Sequence, residues 1–150
     1  MAYQLTVAGL GPGDAGLMTR ETWTRIKDAQ HILLRTRIHP TVEVLDAVGI
    51  TYETYDDFYE DAEDFEELYE AITDDLMERV QANDVLYLVP GSPFVAERTV
   101  QMLRERAMEE DMPLEILPAM SFLEPLFAAL GLDPVNGLSI VDAMDEEAVA

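Results

Sequence analysis

Residues 3–19, YQLTVAGLGPGDAGLMT, begin as an apolar run and then turn through Gly9, Gly11, Pro12, Gly13 and Asp14. Tyr3 to Leu10 reads as a buried first strand. Thr19 reads as the N-cap of a helix over Arg20 to Ala29, with Trp23 and Ile26 on its apolar side. Strand, glycine turn and helix in this order begin an α/β unit. The alternation continues with a strand at His31 to Leu34, a helix at Thr41 to Ala47 between Pro40 and Gly49, and a third strand at Ile50 to Thr54.

Residues 61–80, DAEDFEELYEAITDDLMERV, set Phe65, Leu68, Tyr69, Ile72, Leu76 and Val80 at helical spacing, with acids on the other face. Asp84 to Val89 predicts an apolar strand that ends in PGSP, Pro90 to Pro93. A helix over Val95 to Met108, a strand at Leu114 to Leu117 and a helix from Ser121 to Leu130 closed by Gly131 complete the pattern. Residues 132–143, LDPVNGLSIVDA, then read as a loop and the opening strand of something further. The expected fold is α/β, a mostly parallel sheet flanked by helices, with a first lobe over residues 1–112. Residues 113–150 are expected to begin a second α/β lobe that stops short of its covering helices.

Composition narrows the function. The 150 residues are 49% apolar, enough for a core, and carry no cysteine, which excludes disulfides and thiolate chemistry. Two isolated histidines, His31 and His39, argue against a metal site, and no metal is expected. No apolar run reaches membrane-spanning length and no signal peptide is evident, so the expected compartment is the cytoplasm, without a membrane partner. The net charge is −22, and Ile38 to Glu78 contain no Lys or Arg, which disfavours a nucleic-acid partner. This acidic run reads as a solvated face, and a single lysine also fits adaptation to high salt.

In an open parallel sheet, ligands sit at the carboxyl ends of the strands, where Gly9 to Asp14 and Pro90 to Pro93 fall. Glycines admit a ligand close to the backbone, while Pro12, Pro90 and Pro93 remove N–H donors. The pair suits a cationic or nucleoside-like ligand better than a phosphate. The dinucleotide fingerprint is absent, because Asp14 stands where its third glycine belongs, and there is no P-loop lysine.

Three ordered motifs, GLGPGD, VPGSPFVAERT and LPAMSFLEPLFAALGLDP, together resemble the tetrapyrrole (corrin/porphyrin) methylase family over essentially the whole chain. The pattern is most similar to the methylase-like domain fused to MazG-type nucleotide pyrophosphohydrolases, through Leu34, Arg35, Thr36, His39 and Pro40 and the acidic YDDFYE segment. The resemblance implies a bilobal, usually dimeric methyltransferase that binds S-adenosylmethionine, or its product S-adenosylhomocysteine, between its lobes. By position, the cofactor site implied is Gly11, Pro12, Gly13 and Asp14, Pro90, Gly91, Ser92 and Pro93, Val95, and Met120 with Ser121. The implied reaction is methyl transfer to an unidentified acceptor. Arg35 and Thr36 stand where many uroporphyrinogen methylases carry an acid, which disfavours a tetrapyrrole. The alternative is a non-catalytic ligand-sensing or regulatory module beside a MazG-type pyrophosphohydrolase.

Arg35, Arg37 and His39 form the main basic patch near the crevice and are the candidate contacts for an anionic acceptor. No catalytic residue is singled out. Glu66, Glu67 and Glu70 spell EELYE, part of a magnesium-binding pyrophosphohydrolase pattern, but no E-x-x-D follows at a suitable distance. Trp23 and His31 read as structural.

Overall fold

The computed structural model describes residues 2–150. Five strands, β1 (Leu5–Gly9), β2 (Ile32–Leu34), β3 (Glu53–Thr54), β4 (Val85–Val89) and β5 (Leu114–Ile116), form one sheet in the order β3-β2-β4-β1-β5. Every pairing is parallel, as the alternation with helices requires. In β4, Val85, Tyr87 and Val89 face one layer and Leu86 and Leu88 the other, which is why the strand is apolar throughout. On the first face, α4 (Phe65–Arg79) and α5 (Arg98–Glu109) contribute Leu68, Ile72, Leu76, Val100 and Leu103. On the second, α1 (Arg20–Asp28) and α2 (Val42–Ala47) contribute Ile26, Val42 and Leu45, with Trp23 packed against them.

Thr19 caps α1 by accepting from the Thr22 N–H at 3.1 Å, as its position predicts. Four expectations change. Phe65 has the right helical phase but occupies the first position of α4. It lies 66% exposed and stacks on Tyr69, while Thr73 and Met77 take inward places. The helix expected from Val95 begins at Arg98, because Ala96 turns through a left-handed conformation at φ 55°. Residues 114–116, expected with a second lobe, hydrogen-bond along β1 at the edge of this sheet. Residues 137–143 form no strand, since no neighbouring strand takes their backbone bonds, and Leu138, Ile140 and Val141 are exposed.

The last third of the chain adds α6 (Leu123–Leu130), which ends at the left-handed Gly131 and buries none of its residues. A short α3 (Phe58–Asp61) precedes α4, and a terminal α7 (Glu146–Val149) follows. Among the described residues no helix is long and apolar enough to cross a membrane. The connections leaving the adjacent strands β1 and β4 run to opposite faces, which opens a crevice above their carboxyl ends.

Candidate functional site at the carboxyl ends of the strands

Two turns meet over this crevice. The Gly11 N–H donates to the Gly91 carbonyl at 3.2 Å and the Gly91 N–H returns a bond to the Gly11 carbonyl at 2.8 Å. Both residues hold positive φ, 81° and 63°, where a side chain would be strained. Gly9 lets the backbones close: a Cβ there would stand 2.1 Å from the Gly91 oxygen and 2.7 Å from the Ala119 Cβ. The loop after β1, the loop after β4 and the Ala119 turn are therefore in contact.

A third loop clamps the first. The Thr41 N–H donates to His39 Nδ1 at 3.1 Å, so the ring proton sits on Nε2, which donates to the Gly11 carbonyl at 2.8 Å. The buried Thr41 hydroxyl donates to the Gly13 carbonyl at 3.0 Å, with the Leu10 carbonyl at 3.4 Å. One turn before α2 thus engages three carbonyls of the glycine loop. Pro12 and Pro90 are left as loop carbonyls without a partner among the described residues.

The residues expected to hold a cofactor converge here. Gly11, Pro12 and Gly13 lie in the clamped loop. Exposed Asp14 caps a 3-10 turn, Ala15–Leu17, accepting from the Gly16 N–H at 2.8 Å. Pro90 and Gly91 are half-buried, Ser92 and Pro93 are buried, and Ser92 Oγ accepts from the Phe94 N–H at 3.2 Å. Val95 follows in the same turn. Met120 and Ser121 adjoin Ala119, and Ser121 Oγ accepts from the Leu123 N–H at 3.2 Å.

The three basic residues take different partners. Arg35 Nη1 donates to Glu97 Oε2 at 2.9 Å, His39 is the loop clamp, and exposed Arg37 gives only its backbone N–H, to Asp56 Oδ2 at 2.9 Å. The Thr99 hydroxyl donates to Glu97 Oε1 at 2.8 Å, which makes the Tyr87 hydroxyl, 3.0 Å from Thr99, the donor to it. Burial raises the proton affinity of Glu97 more than Arg35 and Thr99 lower it. Burial alone would raise Asp56 too, but hydrogen bonds from Thr36, the Arg37 N–H and Thr54 hold it below the usual carboxylate range.

Sequence reading missed Thr41, Glu97, Thr99 and Tyr87. The available signal was weak: a lone acid between the PGSP turn and an apolar helix, and a threonine after His-Pro. In EELYE, Glu66 pairs with Arg98 at 3.3 Å and Glu67 accepts from the Glu63 N–H at 3.0 Å. No acidic or histidine cluster able to hold a metal occurs among the described residues.

The site has room for a ligand against its backbone. A Cβ built on Gly91 meets nothing within 4 Å, so open space borders that residue directly, with the unpaired Pro12 and Pro90 carbonyls in the same pair of turns. An arrangement of carbonyls, glycine backbone and apolar side chains accepts a cation or a nucleoside without needing a phosphate cradle.

Residues 4–149 match the family model of tetrapyrrole (corrin/porphyrin) methylases. The uncharacterized protein YabN of Bacillus subtilis (strain 168) is 41% identical over 143 residues, 95% of this chain but 29% of its own length. A uroporphyrin-III C-methyltransferase from Thermus thermophilus superposes with a TM-score of 0.68 at 21% identity, over 89% of this chain and 55% of that one. A diphthine synthase superposes with a TM-score of 0.68 at 20% identity, over 87% and 49%. The Thermus enzyme complexed with S-adenosylhomocysteine superposes at 0.60, with 21% identity, over 87% and 49%. The chain thus spans about half the length of these solved structures and less than a third of YabN.

Proposed function

The chain belongs to the tetrapyrrole (corrin/porphyrin) methylase family, and from that premise we propose that its two joined glycine turns bind S-adenosylmethionine for transfer of its methyl group. The observation that carries this reading is the reciprocal Gly11–Gly91 bridge, which makes one ligand platform of two turns 80 residues apart. That the Thermus relative was crystallised with S-adenosylhomocysteine supports the choice of ligand.

In this reading the Pro12 and Pro90 carbonyls face the positive end of the ligand, while Val95 and Met120 supply apolar contact. Asp14 shapes the turn and contributes negative charge at its rim. The ligand supplies an electrophilic methyl on a sulfonium; the protein's task is alignment, because in-line displacement rewards orientation above other effects. His39 and Thr41 serve that alignment by fixing the loop carbonyls.

Calorimetric titration of the folded chain with S-adenosylhomocysteine tests the proposal, and saturable one-site binding is expected. Asp14→Asn retains the cap and removes the charge, so it separates the two roles given to Asp14. A folded chain that does not bind at millimolar ligand overturns the reading.

A further inference from the structure

A cavity of 730 Å³ adjoins the proposed cofactor turn where the chain passes from Val95 to Glu97. Tyr69, Phe94 and Phe122 supply aromatic walls, and Glu66, Glu97 and Asp142 supply carboxyl groups. Phe94 and Phe122 stand 48% and 51% exposed, an arrangement that leaves large apolar rings facing solvent unless something covers them. Glu97, by contrast, is 6% exposed and is brought to the cavity by the left-handed turn at Ala96. A non-glycine residue in that conformation is a local cost that the surrounding structure must impose.

Among the described residues the cavity wall holds more acids than bases. Arg98, the one basic lining residue among those described, lies 3.3 Å from Glu66, and Arg35 behind the wall gives its Nη1 to Glu97 at 2.9 Å. A polycarboxylate would meet Asp142 and a chain of net charge −22. Glu66 and Glu97 are the partners of those arginines, so the lining carboxylate in no ion pair among the described residues is Asp142, and an organic cation finds it beside ring faces, the combination that recognises ammonium groups.

We propose that this cavity is the acceptor pocket and that the acceptor carries an amine on a flat or apolar body. The inference rests on the methyl-transfer reading above. The amine nitrogen's lone pair forms the new N–CH3 bond while the S–CH3 bond breaks, leaving its electron pair on sulfur. Before that attack the bound ammonium loses one N–H proton to solvent, which frees the lone pair, and the product leaves as the N-methylammonium.

Benzylamine and benzoate, rings of one size and opposite charge, are the probes. Each is titrated into the full chain at physiological salt, alone and with saturating S-adenosylhomocysteine, and followed by ligand-observed NMR. Benzylamine is expected to bind at least tenfold more tightly than benzoate. The double variant Phe94→Ala, Phe122→Ala should weaken it at least fivefold with S-adenosylhomocysteine affinity unchanged, while Glu109→Gln, a charge change elsewhere on α5, should leave it within twofold. The pocket assignment is overturned by equal binding of benzoate, by indifference to the double variant, or by displacement of benzylamine by S-adenosylhomocysteine. Amine selectivity without S-adenosylhomocysteine binding overturns the methyl-transfer reading instead, and with it the pocket's role as an acceptor site.

Discussion

Replacing Gly9 by alanine tests the convergence of the three turns. The added Cβ would lie 2.1 Å from the Gly91 carbonyl oxygen, more than 1 Å inside ordinary contact, and 3.0 Å from Pro93 Cδ. Neither neighbour is a flexible side-chain end, so the β4 loop must move. Movement on that scale breaks the bonds of 3.2 and 2.8 Å between Gly11 and Gly91. Overpacking at about 1–3 kcal/mol plus two hydrogen bonds at about 1 kcal/mol each predicts a loss of about 3–5 kcal/mol. Gly13→Ala is the control: its Cβ would meet nothing nearer than Leu17 Cδ1 at 3.5 Å, and the expected change is under about 1 kcal/mol. Urea unfolding followed by Trp23 fluorescence and circular dichroism measures both, and S-adenosylhomocysteine titration reports on the platform. Gly9→Ala unfolding within 1 kcal/mol of wild type, with ligand affinity intact, would refute the description of the joined turns.

Three further outcomes follow from the same geometry. His39→Ala should weaken S-adenosylhomocysteine binding about fivefold, the equivalent of one hydrogen bond, and His39→Gln, whose amide can reach the Gly11 carbonyl, should restore most of it by calorimetry. Thr41→Val, which keeps the shape but removes the donor to Gly13, should lower affinity while Thr41→Ser does not. Glu97→Gln should gain stability relative to wild type as pH rises. The folded state holds the Glu97 proton above its ordinary value of 4.5, so the wild type loses stability as that group ionises and the amide does not. Urea midpoints of the two proteins at pH 4 and pH 7 check the sign, and a variant that gains nothing at pH 7 contradicts the claim that burial outweighs pairing.

The fold was legible because it depends on local pattern. Leu86 and Leu88 alternate with Val85, Tyr87 and Val89 in a run bounded by Asp84 and Pro90, and no helix satisfies that length with those neighbours. The glycine turns were legible for the same reason. The partnerships were not: Arg35 and Glu97 are 62 residues apart, and His39 meets Gly11 across 28. Hydropathy places a glutamate at the surface, so nothing local reveals that Ala96 turns Glu97 inward. Residues 137–143 show the converse failure, since a strand pattern becomes a strand only where another edge accepts its hydrogen bonds.

The Arg35–Glu97 pair bears on the chemistry of the crevice. Nine basic side chains serve a chain with 31 acids, and Arg25, Arg35, Arg79, Arg98 and Arg106 are all in ion pairs. Most of these pairs join elements: Arg25 to β5 through Glu115, Arg79 to β3 through Glu53, Arg106 to α4 through Asp74. Exposed pairs of this kind contribute little stability singly, but they commit the cations to scaffolding. Arg37 is a basic side chain near the crevice that none of these pairs engages, and it stands beside Asp56. One such arginine cannot offset the field of so many carboxylates for an acceptor that brings several of its own. The same field raises the encounter rate of a cation, an effect that falls off with added salt.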